Sequence, residues 1–88
     1  MAWVIKAEHT TLLEAVELII PGQSGQLRAL QAAVGGYIEG PYYWAHGFEF
    51  WVNEDGRTLD LPVNQQVSDA VKYTVRGDVV VTRVGEIV

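Results

Sequence analysis

The chain has 88 residues, 49% of them apolar, with six basic and eleven acidic side chains and a net charge of −5. That length predicts one domain, and the apolar content excludes global disorder. The acidic balance argues against binding duplex nucleic acid, where affinity comes from neutralising phosphates, and the lack of cysteine excludes disulfides and thiolate metal sites. No apolar run reaches the roughly 18–20 residues that span a bilayer, and no signal-peptide pattern opens the chain. A cytoplasmic protein is expected, with no membrane partner. So small a core also makes a homodimer a reasonable expectation.

Residues 2–7 alternate Trp3 and Ile5 with Val4 and Lys6, which predicts a first strand, with a polar turn at residues 8–11. Residues 12–21 fit both a helical stripe and a strand. Pro21 and the Val/Ile content favour a strand over 13–20, paired with the first as a hairpin. Ser24 suits an N-cap, and Leu27, Leu30, Ala33 and Val34 recur at helical spacing, predicting an amphipathic helix over 25–34. Gly35 can close it in the left-handed conformation.

Strand character begins at Tyr37, is interrupted by Gly40-Pro41, and resumes at Tyr42–Ala45. His46-Gly47 reads as a tight connection into a strong strand, Phe48–Val52, with Phe48, Phe50 and Val52 on one face and Glu49 and Trp51 on the other. Asn53-Glu54-Asp55-Gly56 reads as a hairpin turn, with a return strand over 57–61. Asn64 can cap a short helical turn. The valines of 79–84 predict a last strand buried on both faces. The expected fold is therefore α+β: a small, curved, mainly antiparallel sheet with one central amphipathic helix packed on one face.

Enzyme motifs are poor. Ser24 and Ser68 lie in no nucleophile-elbow sequence, and His9 and His46 make weak metal or base candidates. Glu39 and Glu49 facing each other across strands would suit acid–base work, against the plainer reading of two solvated acids. Gly35-Gly36 follows a helix, whereas phosphate-binding glycine loops precede one. A non-enzymatic protein without cofactor or metal is expected.

The informative region is aromatic. Tyr37, Tyr42, Tyr43, Trp44, Phe48, Phe50 and Trp51 crowd into one stretch, and strand alternation cannot bury all of them under one helix. Core packing with a homodimer interface is one explanation. A pocket for a small nucleotide-like ligand is the other. There Tyr37, Tyr43, Trp44 and Trp51 would stack on a base, and Glu39, Asn53 or Asn64 would bond a ribose or base edge. Arg57 or Arg76 would hold a phosphate.

Val34-Gly35-Gly36-Tyr37-Ile38-Glu39, Val52-Asn53-Glu54-Asp55-Gly56, Leu61-Pro62-Val63-Asn64 and Arg76-Gly77-Asp78-Val79-Val80-Val81 occur in that order. The succession resembles a family of small proteins of uncharacterised function in phages, mobile elements and some bacteria. The resemblance covers about residues 27–84 and transfers no catalytic residue. Its phage context implies two expectations: an anti-defence sponge that sequesters a nucleotide-derived signal, or an interaction module that blocks a host or phage protein through its aromatic surface.

Overall fold

The computed structural model describes residues 2–7, 15–18 (backbone only) and 25–87. Alternating side chains place strands β1 (Ala2–Ile5), β2 (Ala15–Leu18), β3 (Ile38–Tyr43), β4 (Phe48–Asn53) and β5 (Val79–Arg83) in one sheet. Helix α1 (Gln26–Val34) separates β2 from β3, and α2 (Gln65–Val71) separates β4 from β5. The strand order is β2-β1-β5-β4-β3, and every neighbouring pair is antiparallel.

The expected hairpin of the first two strands forms, with Ala2 opposite Leu18 and Ile5 opposite Ala15. The polar turn expected at 8–11 lies outside the described residues. β5 inserts at the centre: Val81 faces Trp3 on one side and Phe50 on the other. Val79, Val80, Val81 and Thr82 are all buried, as the run of valines implied.

A central strand buried on both faces needs two covering layers, and here the expectation of a single helix on one face is corrected. Leu30 and Val34 of α1 pack with Ala2, Val4, Trp51 and Val80. On the opposite face, Val67 of α2 and Val75 just beyond it pack with Ile5, Phe50, Val52, Val79 and Val81. Phe50, Leu30, Val67, Val79 and Val80 are fully buried, so both layers exclude water from the sheet. Leu27, counted in the apolar stripe of α1, is instead 55% exposed. Gly25 occupies the N-cap of α1 without a side-chain cap. Ser24, the expected cap, lies outside the described residues.

The return strand expected over 57–61 does not form. β3 and β5 occupy both edges of β4, which leaves no place for a further hairpin partner. Residues 54–60 wind through consecutive turns instead. The Asn53 Oδ1 accepts from the Asp55 N–H at 2.7 Å, Leu59 N–H bonds to Asp55 O at 2.8 Å and Leu61 N–H to Gly56 O at 2.9 Å. Asn53 thus starts an Asx-type turn rather than a β-hairpin.

The joint between α1 and β3 depends on two glycines for different reasons. Gly35 has φ 78° and its N–H caps Gln31 O at 2.8 Å, the left-handed closure the sequence implied. At Gly36 a Cβ would stand 2.9 Å from Asn53 Nδ2. That amide donates to Val34 O at 3.0 Å and ties the end of α1 to the end of β4. Gly36→Ala should therefore displace Asn53 and cost about 1–3 kcal/mol in urea unfolding, from the lost buried bond. In a double-mutant cycle the loss should be strongly reduced in an Asn53→Ala background. Additive losses would show that the two residues act independently.

Candidate functional site

α2 has only seven residues, and the sheet face it covers is wider than it is. Beside it runs a groove of about 750 Å³. Glu39 and Tyr42 of β3 and Phe50 and Val52 of β4 form its floor and one side, and Glu54, Arg57 and Thr58 of the turn segment and Tyr73–Arg76 complete it.

Local bonds fix these walls. Ser68 Oγ accepts from Val75 N–H at 2.8 Å and donates to Val75 O at 3.2 Å, which pins the 73–76 segment to α2. Val63 and Arg76 form an isolated antiparallel bridge, and Gly77 N–H bonds to Pro62 O at 2.8 Å. Arg76 Nη1 donates to Leu61 O at 2.9 Å and to Asp60 Oδ1 at 3.3 Å, so this cation is held and partly neutralised. Arg57 has no ion pair among the described residues and is exposed.

On the β3 side, the Tyr42 ring leans on Phe50 at 5.5 Å with a 36° tilt. Its hydroxyl is hydrogen-bonded to the Glu39 carboxylate. Partial burial, that bond, and the charges of Glu39 and Tyr73 hold the Tyr42 phenol above its ordinary range.

A second cavity, of about 260 Å³, opens on the same face of the sheet. It is apolar, lined by Trp3, Ile5, Trp44, Phe48 and Val81, with His46 at the β3–β4 turn.

A family model described as a domain of unknown function (DUF3846) matches residues 1–87. The chain belongs to the DUF3846 family. Comparison with curated proteins and with solved structures gave no match.

In this DUF3846 protein the eight candidate residues separate. Glu39, Asn53 and Arg57 meet at the groove, and Trp44 lines the apolar cavity. Tyr37 and Tyr43 are 68% and 73% exposed and line none of these cavities. Trp51, expected among the stacking rings, is a core residue under α1, with its indole N–H donating to Thr82 Oγ1 at 3.0 Å. Asn64, expected at a ribose or base edge, is fully buried. Its Nδ2 donates to Ile5 O at 2.9 Å and Gly77 O at 3.0 Å, and its Oδ1 accepts from Val67 N–H at 3.2 Å as the cap of α2. Asn53 borders the groove, but its amide is engaged with Val34 and Asp55.

Glu39 and Glu49 do not face each other. Glu39 pairs with Val52 and Glu49 with Tyr43. Glu39 lies on the groove side with Tyr42 and Phe50, whereas Glu49 alternates with Phe50 to the other face of β4. Ser68 is engaged structurally, as above. Among the described residues no group of three or more His, Asp or Glu is arranged to hold a metal, and no helix is long and apolar enough to cross a membrane. His9 lies outside the described residues.

The sequence reading passed over Tyr73 and Thr74, which reach the groove only because Ser68 folds their segment back. No local pattern marks them. Tyr42 was visible in the aromatic run, but its pairing with Glu39 depends on the register shift between Glu39 and Tyr42, where Gly40-Pro41 bulges β3.

Asn64→Ala should lower unfolding stability by about 2–4 kcal/mol, since it removes a helix cap and strands two buried carbonyls. A fall in the urea midpoint at unchanged slope checks this, and a change under about 0.5 kcal/mol would refute a structural role. In an alkaline absorbance titration, a tyrosinate component above the ordinary phenol value of about 10 should vanish in Tyr42→Phe and move down in Glu39→Gln. The folded chain holds that proton more tightly than the unfolded one. Its contribution to stability is therefore present below the unfolded value and lost as pH rises through the folded one.

Proposed function

We propose that this DUF3846 protein is a non-catalytic binding protein that sequesters a small nucleotide-like ligand in the groove beside α2. The observation that carries this reading is the meeting, in one groove, of the uncovered Arg57 guanidinium with two tyrosines from separate segments, Tyr42 and Tyr73. A guanidinium suits a phosphate, and phenol rings suit a base face. The separation of Glu39 from Glu49 and the structural engagement of Ser68 support binding over hydrolysis. In the phage setting that the sequence resemblance implies, such a protein would act as a sponge for a nucleotide-derived immune signal.

A second reading has its own observation. β3 ends the described sheet and leaves Tyr37 and Tyr43 largely in water, which suits an interaction module, homodimeric or directed at another protein. The bulge at Gly40-Pro41 opposes edge-to-edge strand addition. A partner would therefore read side chains rather than extend the sheet.

Calorimetry against adenine and guanine mononucleotides and cyclic dinucleotides should give stoichiometric binding with the ligand recovered unchanged. Arg57→Ala should weaken it about tenfold or more, the worth of a charge-assisted hydrogen bond, without altering the unfolding midpoint. No heat across the panel at micromolar protein would refute ligand binding. Light scattering that shows concentration-dependent dimers abolished by Tyr43→Ser would favour the interaction module.

A further inference from the structure

We infer that the groove selects a guanine base and that Glu39 is the residue that reads it, an inference that rests on the nucleotide-binding reading above. An edge reader in this groove must be a side chain with free hydrogen-bonding capacity. The amide of Asn53 would be the natural reader of adenine, since a carboxamide matches adjacent donor and acceptor positions. Both its ends are engaged, the Nδ2 with Val34 O at 3.0 Å and the Oδ1 with Asp55 N–H at 2.7 Å. Asn64 is fully buried with its amide equally engaged.

What remains on the β3 side is Glu39. An ionised carboxylate only accepts, through two oxygens. Glu39 lines the groove beside Tyr42, whose ring Phe50 supports. The Glu39 side chain is exposed and in no ion pair among the described residues, so acceptor positions are left for a ligand. Of the common bases, guanine alone presents two neighbouring N–H donors on one edge, at N1 and the 2-amino group. Adenine and cytosine place a ring-nitrogen lone pair beside their amino group, and uracil flanks its N–H with carbonyls. Each sets an acceptor against the carboxylate.

The charges also sort the two ends of such a ligand. Arg57 and Arg76 come from the turn segment and from the stretch after α2, and Glu39 comes from β3. A phosphate is drawn to the former and repelled by the latter, so the base is left toward Glu39. Glu54, the other groove carboxylate, starts the same turn segment as Arg57, and its N–H is bonded to Tyr37 O at 2.9 Å.

The test is calorimetry with guanosine and adenosine 5′-monophosphates on the wild-type chain and on Glu39→Gln. Glu39 is exposed, and matched unfolding midpoints serve as the folding control. The wild-type chain should bind the guanine nucleotide about ten- to hundredfold more tightly, the discrimination expected of a bidentate edge contact. Glu39→Gln should lose that preference, with guanine binding weakened about tenfold or more and adenine binding kept or improved. Equal affinities in the wild-type chain, or a preference that survives Glu39→Gln, would overturn guanine reading and leave groove binding standing. Absence of binding to either nucleotide would overturn guanine reading, and silence across the wider panel above would overturn groove binding with it.

Discussion

A fully buried carboxamide has to satisfy both its ends, and Asn64 does so with three different parts of the chain. Two donors go to carbonyls at the end of β1 and in the turn before β5, and one acceptor position takes the free N–H of Val67. The flipped amide would set its oxygen against two carbonyls, so the network admits one orientation. Because Asn64 N–H also bonds to Val75 O at 2.8 Å, the start of α2 is fixed to both β1 and the returning segment. The covered sheet face, and the groove at its margin, follow from that placement.

Asn53 plays the matching part at the other helix. It joins the last carbonyl of α1 to the end of β4 and starts the turns that carry Arg57. Two buried amides thus hold two helices on opposite faces of the sheet, around a central β5 that contributes apolar side chains to both. A buried amide left half-satisfied is costly, so each helix is held in one position rather than a range of them. The quoted segments of the resemblance meet in the same pairs: Val34 and Gly36 touch Asn53, and Asn64 touches Gly77.

The parts legible in the sequence were those decided locally. Alternation along residues 48–52 identified the two faces of β4, Gly35 marked the end of α1, and Asn64 marked the cap of α2. What was hidden depended on distant neighbours. Asp55-Gly56 reads as a hairpin turn only while β4 has a free edge, and β5, far downstream and in register with Phe50 at Val81, removes it. Trp51 counted as surplus aromatic surface because a single helix was expected to cover only one face. With α1 on the Trp51 face the ring is simply core. The valines of β5 held the correction in advance, since a strand buried on both faces implies a second layer. Of the site, Glu39 and Arg57 were legible as charged residues near aromatics, whereas Tyr73 became a neighbour only through Ser68 and Val75.

On the proposed reading, the groove would also reconcile an acidic chain with a phosphate-bearing ligand. A polynucleotide would meet the field of the whole molecule, net −5, at phosphate after phosphate, and no basic stripe offsets it. A mononucleotide or a cyclic dinucleotide meets chiefly the local potential of Arg57 and the partly neutralised Arg76. Beyond a Debye length of about 8–10 Å the rest of the protein is screened. The walls that would receive it are pinned by backbone bonds, so little main-chain entropy is lost on binding, and the ordering cost falls on the exposed Arg57 and Tyr73 side chains. On the proposed reading, an acidic surface around a short cationic contact would discriminate by ligand size, admitting a compact anion and repelling its polymer.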